Sequence, residues 1–158
     1  MLIPITDIQL AVRASVAATL SLVFAQLLGL QFPIYAAIAA VIVTDLSPAE
    51  TTLLGWRRMV ASAIGAFTGA ALSLVLPQNA WTLGLDILVA MLLCHVFRVS
   101  EVFRIAGYTS AIVGLSRGID PWYLALDRLL ETALGIAVAW LISCVPKLLR
   151  SRPEDQPQ

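Results

Sequence analysis

From Met59 to Leu76 the chain runs eighteen residues without a charged side chain, directly after an arginine pair, Arg57 and Arg58. A helix needs ~20 apolar residues to cross the hydrocarbon core of a bilayer, so this run already limits the folds open to the chain. It is the third of six apolar segments, at about 13–30, 34–44, 59–76, 81–97, 105–116 and 122–145. The first, third, fourth and sixth approach or reach spanning length, while the second and fifth fall short alone. The chain is 59% hydrophobic and 13% charged, and a soluble domain of 158 residues would need far more polar surface to cover itself. The segments predict an all-α integral membrane fold of six transmembrane helices, with the second and fifth short.

The formal net charge of zero carries little information, but the position of each charge carries more. With a cytoplasmic N-terminus, Arg13, Arg57, Arg58, Arg98, Arg104, Lys147, Arg150 and Arg152 lie inside, and Arg117 and Arg128 lie outside. Eight against two obeys the positive-inside rule. Trp81, Trp122 and Tyr123 then fall at the outer edge as interfacial anchors. The opening "MLIPITDIQLAVR" has no basic side chain before Arg13 and reads as an amphipathic lead rather than a cleaved signal. The expectation is a multi-pass protein of the inner or plasma membrane with both termini cytoplasmic. A single membrane domain spans 1–147, and a polar cytoplasmic tail follows over 148–158.

Sliding the chain by seventy residues aligns the second segment with the fifth and the third with the sixth, without a gap. Between 36–75 and 106–145 nine positions are identical, among them Ala36/Ala106, Val43/Val113, Arg58/Arg128, Gly65/Gly135 and Ser73/Ser143. The loops "DLSPAE" and "SRGIDP" occupy matching places. Three crossings per half is an odd number, so the halves (about 9–77 and 79–147) point in opposite directions. That is the 3+3 inverted repeat of many transporters, in which paired short or Gly/Pro-interrupted segments mark the substrate site. Arg58 then approaches the centre from the cytoplasmic side and Arg128 from the outside, a positive path for an anion.

"VRASVAATLSLVFAQLLGLQFPIYAAIAAVIVTDLSPAETTLLGWRRMVASAIGAFTGA" resembles the membrane domain of the fusaric acid resistance (FUSC), or aromatic acid exporter-like, family. "RLLETALGIAVAWLISCVP" is similar to the last membrane helix of that superfamily, and more distantly to plant aluminium-activated malate transporters. The resemblance covers roughly 10–147. It implies a six-helix membrane domain, usually paired as a dimer, that passes organic anions out of the cell. Members often carry a further soluble region or a second membrane half. Neither follows here, which makes a minimal unit acting as a homodimer or larger homo-oligomer the expectation.

The residues assigned to the anion path are Arg58, Arg128, Glu131, Asp86, Tyr35 and Tyr108. Arg57 and Arg58 at the head of an apolar run can equally be anchors that snorkel to headgroups. Arg128 lies inside its segment, and Glu131, three positions on, shares its helix face, so an ion pair is expected. That pair is either structural or a gate in which an arriving carboxylate competes for the guanidinium. Asp127 is expected to pair with Arg117. Asp86 is an isolated intramembrane carboxylate, a functional candidate or a wetted interfacial acid. Tyr35 and Tyr108 sit one in each short segment, placed to stack on an aromatic substrate or to fill the core. Gly65 and Gly69 form GxxxG, and with Gly135 mark close helix packing.

No Ser/His/Asp set, phosphate loop or metal-ligand spacing occurs, so no enzyme activity, cofactor or metal is expected. Cys94 and Cys144 sit in apolar runs. The function expected is efflux of organic anions, aromatic carboxylates among them, by a transporter or channel whose partners are the lipid bilayer and the small anion, not nucleic acid. The competing reading is a membrane scaffold or accessory subunit with no transport of its own. A third, a cation or proton carrier, would use Asp86 and Glu131.

Overall fold

The computed structural model of the chain describes residues 5–97, 102–116, 118 and 120–145. Six helices follow one another: α1 (Ile5–Leu27), α2 (Ile34–Val43), α3 (Pro48–Val75), α4 (Ala80–Val96), α5 (Phe103–Leu115) and α6 (Pro121–Ser143). No strand occurs among the described residues. The tail expected over 148–158 lies outside them, as do Arg98, Arg117 and Lys147.

Each helix covers one apolar segment, but two begin well before it. The lead expected ahead of residue 13 is continuous with α1, which places Arg13 within the helix. α3 begins at Pro48 rather than near Met59. Proline is well placed in a first helical turn, where its missing N–H has no partner to lose. At 28 residues α3 is ~42 Å long. Arg57 and Arg58 therefore do not stand at a helix head: Arg58 lies ~15 Å inside. α6 starts in the same manner, with Asp120 accepting from the N–H of Trp122 and Tyr123 ahead of Pro121. α4 opens on a capping box between Asn79 and Thr82. α1 closes in a Schellman arrangement. Gly29 adopts φ 69°, and the N–H groups of Leu30 and Gly29 return to the carbonyls of Ala25 and Gln26.

Two helices, Thr6–Leu27 and Pro48–Val75, are long and apolar enough to cross a membrane by length and composition, while α2 and α4 are shorter apolar helices. The distribution of side-chain size runs inside out. Thirteen of the nineteen buried hydrophobic residues described are alanines, whereas Leu27, Trp56, Val75, Trp81, Leu92 and Leu141 stand exposed. Helices that meet through small residues and turn large apolar ones outward suit an apolar solvent.

The packing pairs are α1 with α2 and α6; α2 with α3 and α6; α3 with α4, α5 and α6; α4 with α5; and α5 with α6. Exchanging α1 with α4, α2 with α5 and α3 with α6 returns the same set. The exchange holds at residue level. A Cβ on Gly65 would run into the Ala106 carbonyl, and one on Gly135 into the Ala36 carbonyl, so that both the two glycines and the two alanines stand seventy residues apart. A Cβ on Gly69 would lie 2.6 Å from the Ser110 carbonyl oxygen and near Val113, while Ala139 packs with Ala40 and Val43. Glycine at 65 and 135 therefore lets two backbones approach, which any larger residue would prevent. These contacts run α3 parallel to α5 and α6 parallel to α2. α3 and α6 cross the centre antiparallel: Thr51 meets Ser143, Gly55 meets Ile136 and Phe67 meets Trp122.

Candidate functional site

The α3/α6 seam carries the two arginines. α6 presents Asp127, Arg128 and Glu131, all buried, because their spacing of three and four brings them to one face. Arg128 Nη1 lies 2.9 Å from Glu131 Oε2. The guanidinium carbon sits 3.5 Å from the ring centroid of Tyr35 and 4.6 Å from that of Phe32, within cation–π range of both. The carboxylates reach the turn that leads into α2. Glu131 Oε1 accepts from the N–H of Phe32 at 2.8 Å, and Asp127 Oδ2 from that of Gln31 at 3.3 Å. The segment that ends α1 is thereby tied to α6 directly over Arg128. Nε and Nη2 of Arg128 find no hydrogen-bond acceptor among the described residues.

Arg58 is 3% exposed, yet its Nε and Nη1 also find no acceptor, and no carboxylate of the described residues lies within ion-pair distance. Its polar neighbour is Tyr108 of α5, which interacts with Arg128 as well. From the antiparallel contacts of α3 and α6, Arg58 lies roughly five residues from Arg128 in depth, ~7 Å along the axis. The core thus holds two guanidinium groups about a turn apart that share Tyr108 as a neighbour, and among the described residues one of the two has no counter-charge. A buried charge without a partner is expensive, and a guanidinium presents five donors in a planar fork suited to a carboxylate.

Of the residues read from the sequence, Arg58, Arg128, Glu131, Tyr35 and Tyr108 come together here. Gly65 and Gly135 pack beside them. Asp86 does not join them. It lies against Gly114 and within hydrogen-bond reach of Ser110, around α5 from Tyr108 and near the α3–α4 turn. Asp127 is held by Gln31, while Arg117 lies outside the described residues. Sequence reasoning missed Phe32, whose ring and N–H both serve the site; nothing in "LQFPIY" marks it. It also missed a polar cluster at the far end of the seam. There Arg13 donates to the carbonyls of Val145 (2.6 Å) and Leu46 (3.5 Å), and Thr51 and Ser143 share a 2.8 Å hydrogen bond. Among the described residues no group of His, Cys, Asp and Glu could hold a metal ion.

The sequence profile described as "Aromatic acid exporter family member 1" matches residues 9–145. A curated relative, UPF0421 protein YgaE of Bacillus subtilis (strain 168), is 26% identical over 133 residues, which is 84% of this chain but 38% of that protein. The chain therefore spans well under half the length of that relative. No solved structure matches. The match takes in five helices whole, most of α1 and both arginines, and the chain belongs to the aromatic acid exporter family.

Proposed function

We propose that the protein spans the membrane as an inverted 3+3 bundle and carries organic anions, aromatic carboxylates among them, outward past Arg58 and Arg128. The observation that carries this reading is the Arg58 guanidinium, buried beside Tyr108 with two nitrogens unpaired. A protein that needed only a rigid core would do better with an apolar side chain there, whereas an anion arriving from one end supplies the missing charge. At Arg128 the same anion meets Glu131 already on the guanidinium and the rings of Tyr35 and Phe32 on its face. A carboxylate displaces the Glu131 carboxylate, and an aromatic ring stacks where the guanidinium now does. The tie between Glu131 and Phe32 makes that displacement felt in the segment joining α1 to α2.

The inverted arrangement is supported by the reciprocal glycine contacts and by the antiparallel course of α3 and α6. Parallel copies would run those two helices the same way. Charge bias favours cytoplasmic termini, and the resemblance favours a dimer or larger homo-oligomer within the bilayer. The test is efflux of labelled benzoate from loaded proteoliposomes. Arg58→Gln and Arg58→Ala should remove saturable flux while the protein stays helical and monodisperse. Saturable flux equal to wild type in both variants would take Arg58 off the path, and an absence of saturable flux in the wild type would favour a scaffold without transport.

A further inference from the structure

We propose that Asp86 and the cavity beside it form a binding site for a small monovalent cation of sodium size. The site stands apart from the anion reading and does not depend on it. Asp86 is 4% exposed, and its Oδ1 finds no hydrogen-bond donor among the described residues. Its Oδ2 is seated on Gly114, where a Cβ would lie 2.5 Å from the oxygen, so the bare glycine makes the seat. The Ser110 hydroxyl is the neighbour from α5. The cavity against the carboxylate has a volume of about 20 Å³ and is lined by four leucines together with Ser73, Gln78, Asn79, Thr82, Asp86 and Gly114.

Three features select the ligand. The volume accommodates one water-sized species, since a single water needs roughly 10–15 Å³ on this measure. The polar side chains lining it beside Asp86 are two hydroxyls and two amides, whose oxygens are hard donors that suit alkali and alkaline-earth cations rather than soft metals. Among the described residues the charge of the lining is a single carboxylate: no lysine, arginine or histidine lines the cavity from α3, α4 or α5. A divalent ion takes several carboxylates or keeps a large water shell; the lining offers one carboxylate, and a volume of about 20 Å³ leaves no room for such a shell. A water would fill the space but leave the charge unmatched in a place where an unpaired charge is expensive. A monovalent cation of one-water size matches both volume and charge.

The experiment uses the full chain in lipid nanodiscs. Thermal unfolding is followed in sodium, potassium and choline chloride at constant ionic strength, at two pH values. Sodium should raise Tm saturably by a few degrees over choline, because a ligand that binds only the folded state stabilises it. Asp86→Asn should abolish the sodium dependence. Gly114→Ala, which crowds Oδ2, should raise the half-saturating sodium concentration several-fold. Sodium NMR line broadening by the wild-type chain, reversed by excess lithium, gives a reading that needs no variant. Equal Tm in sodium and choline means that water alone fills the cavity and overturns the proposal. A Tm that follows pH through Asp86 but ignores sodium means that a proton neutralises the carboxylate, and overturns it as well. Loss of sodium dependence with benzoate efflux intact, or the reverse, separates this site from the arginine path.

Discussion

Replacing Glu131 by glutamine removes one charge from the most enclosed part of the core and little else. The side chain keeps its length, and its amide oxygen can still accept from the Phe32 N–H, now 2.8 Å from Oε1. What disappears is the negative partner of Arg128 at 2.9 Å. Breaking a buried pair by neutralising one member costs about 3–5 kcal/mol, because the remaining charge is left without compensation. At about 2–4 °C per kcal/mol for a chain of this size, Tm should fall by roughly 6–20 °C. Neutralising both partners, Arg128→Met with Glu131→Gln, removes the stranded charge and should recover at least half of that loss. Benzoate separates a structural pair from a gate. In Glu131→Gln the guanidinium is unoccupied, so a saturating carboxylate should raise Tm more than in wild type, whereas the double variant should not respond. Thermal unfolding in nanodiscs with and without benzoate reads all of these. Additive losses in the double variant, or equal benzoate shifts in all three proteins, would refute the account of Arg128 and Glu131.

Gly65→Ala and Gly135→Ala should each destabilise by about 1–3 kcal/mol, since both drive a methyl into a facing carbonyl; unfolding midpoints in denaturant will report it. Gly84→Ala, with open space around it, should be neutral or stabilise by up to about 1 kcal/mol in the same assay. Asn79→Ala removes the capping box of α4 and should cost about 1 kcal/mol, visible as faster amide exchange at Trp81 and Thr82 while the rest of α4 stays protected. Thr51→Val leaves the Asp45 N–H without a partner, while Ser143 keeps its bond to the Asp45 carbonyl, and should cost about 1–3 kcal/mol by thermal unfolding, with flux past Arg58 retained.

The seam of α3 and α6 shows what could be read beforehand and what could not. Arg128 and Glu131 were legible as a pair because three residues on a helix make a fixed geometry. The equivalence of Arg58 with Arg128 was legible because the seventy-residue register also aligns Gly65 with Gly135. The position of Arg58 within α3 was not. The apolar run begins only at Met59, but "PAETTLLGWRR" is made of helix-compatible residues behind an N-terminal proline, so the helix starts well before the apolar signal does. The Asp86 surroundings were legible only as a lone acid. That it faces Gly114 rather than Arg58 depends on which side of α5 each helix packs.

The chain alone determined six helices, their order, the shortness of the second and fifth, and the small residues at matching places, because these follow from helical period, side-chain size and the spacing of the apolar runs. Only the tertiary structure decided that Phe32 and Tyr35 close over Arg128, that Tyr108 stands by both arginines, and that Asp86 is sequestered in a cavity of its own. Those contacts join residues 20 to 96 positions apart in the chain. They are set by which helix faces can approach closely enough to pack, a property of the assembled bundle that no local pattern encodes.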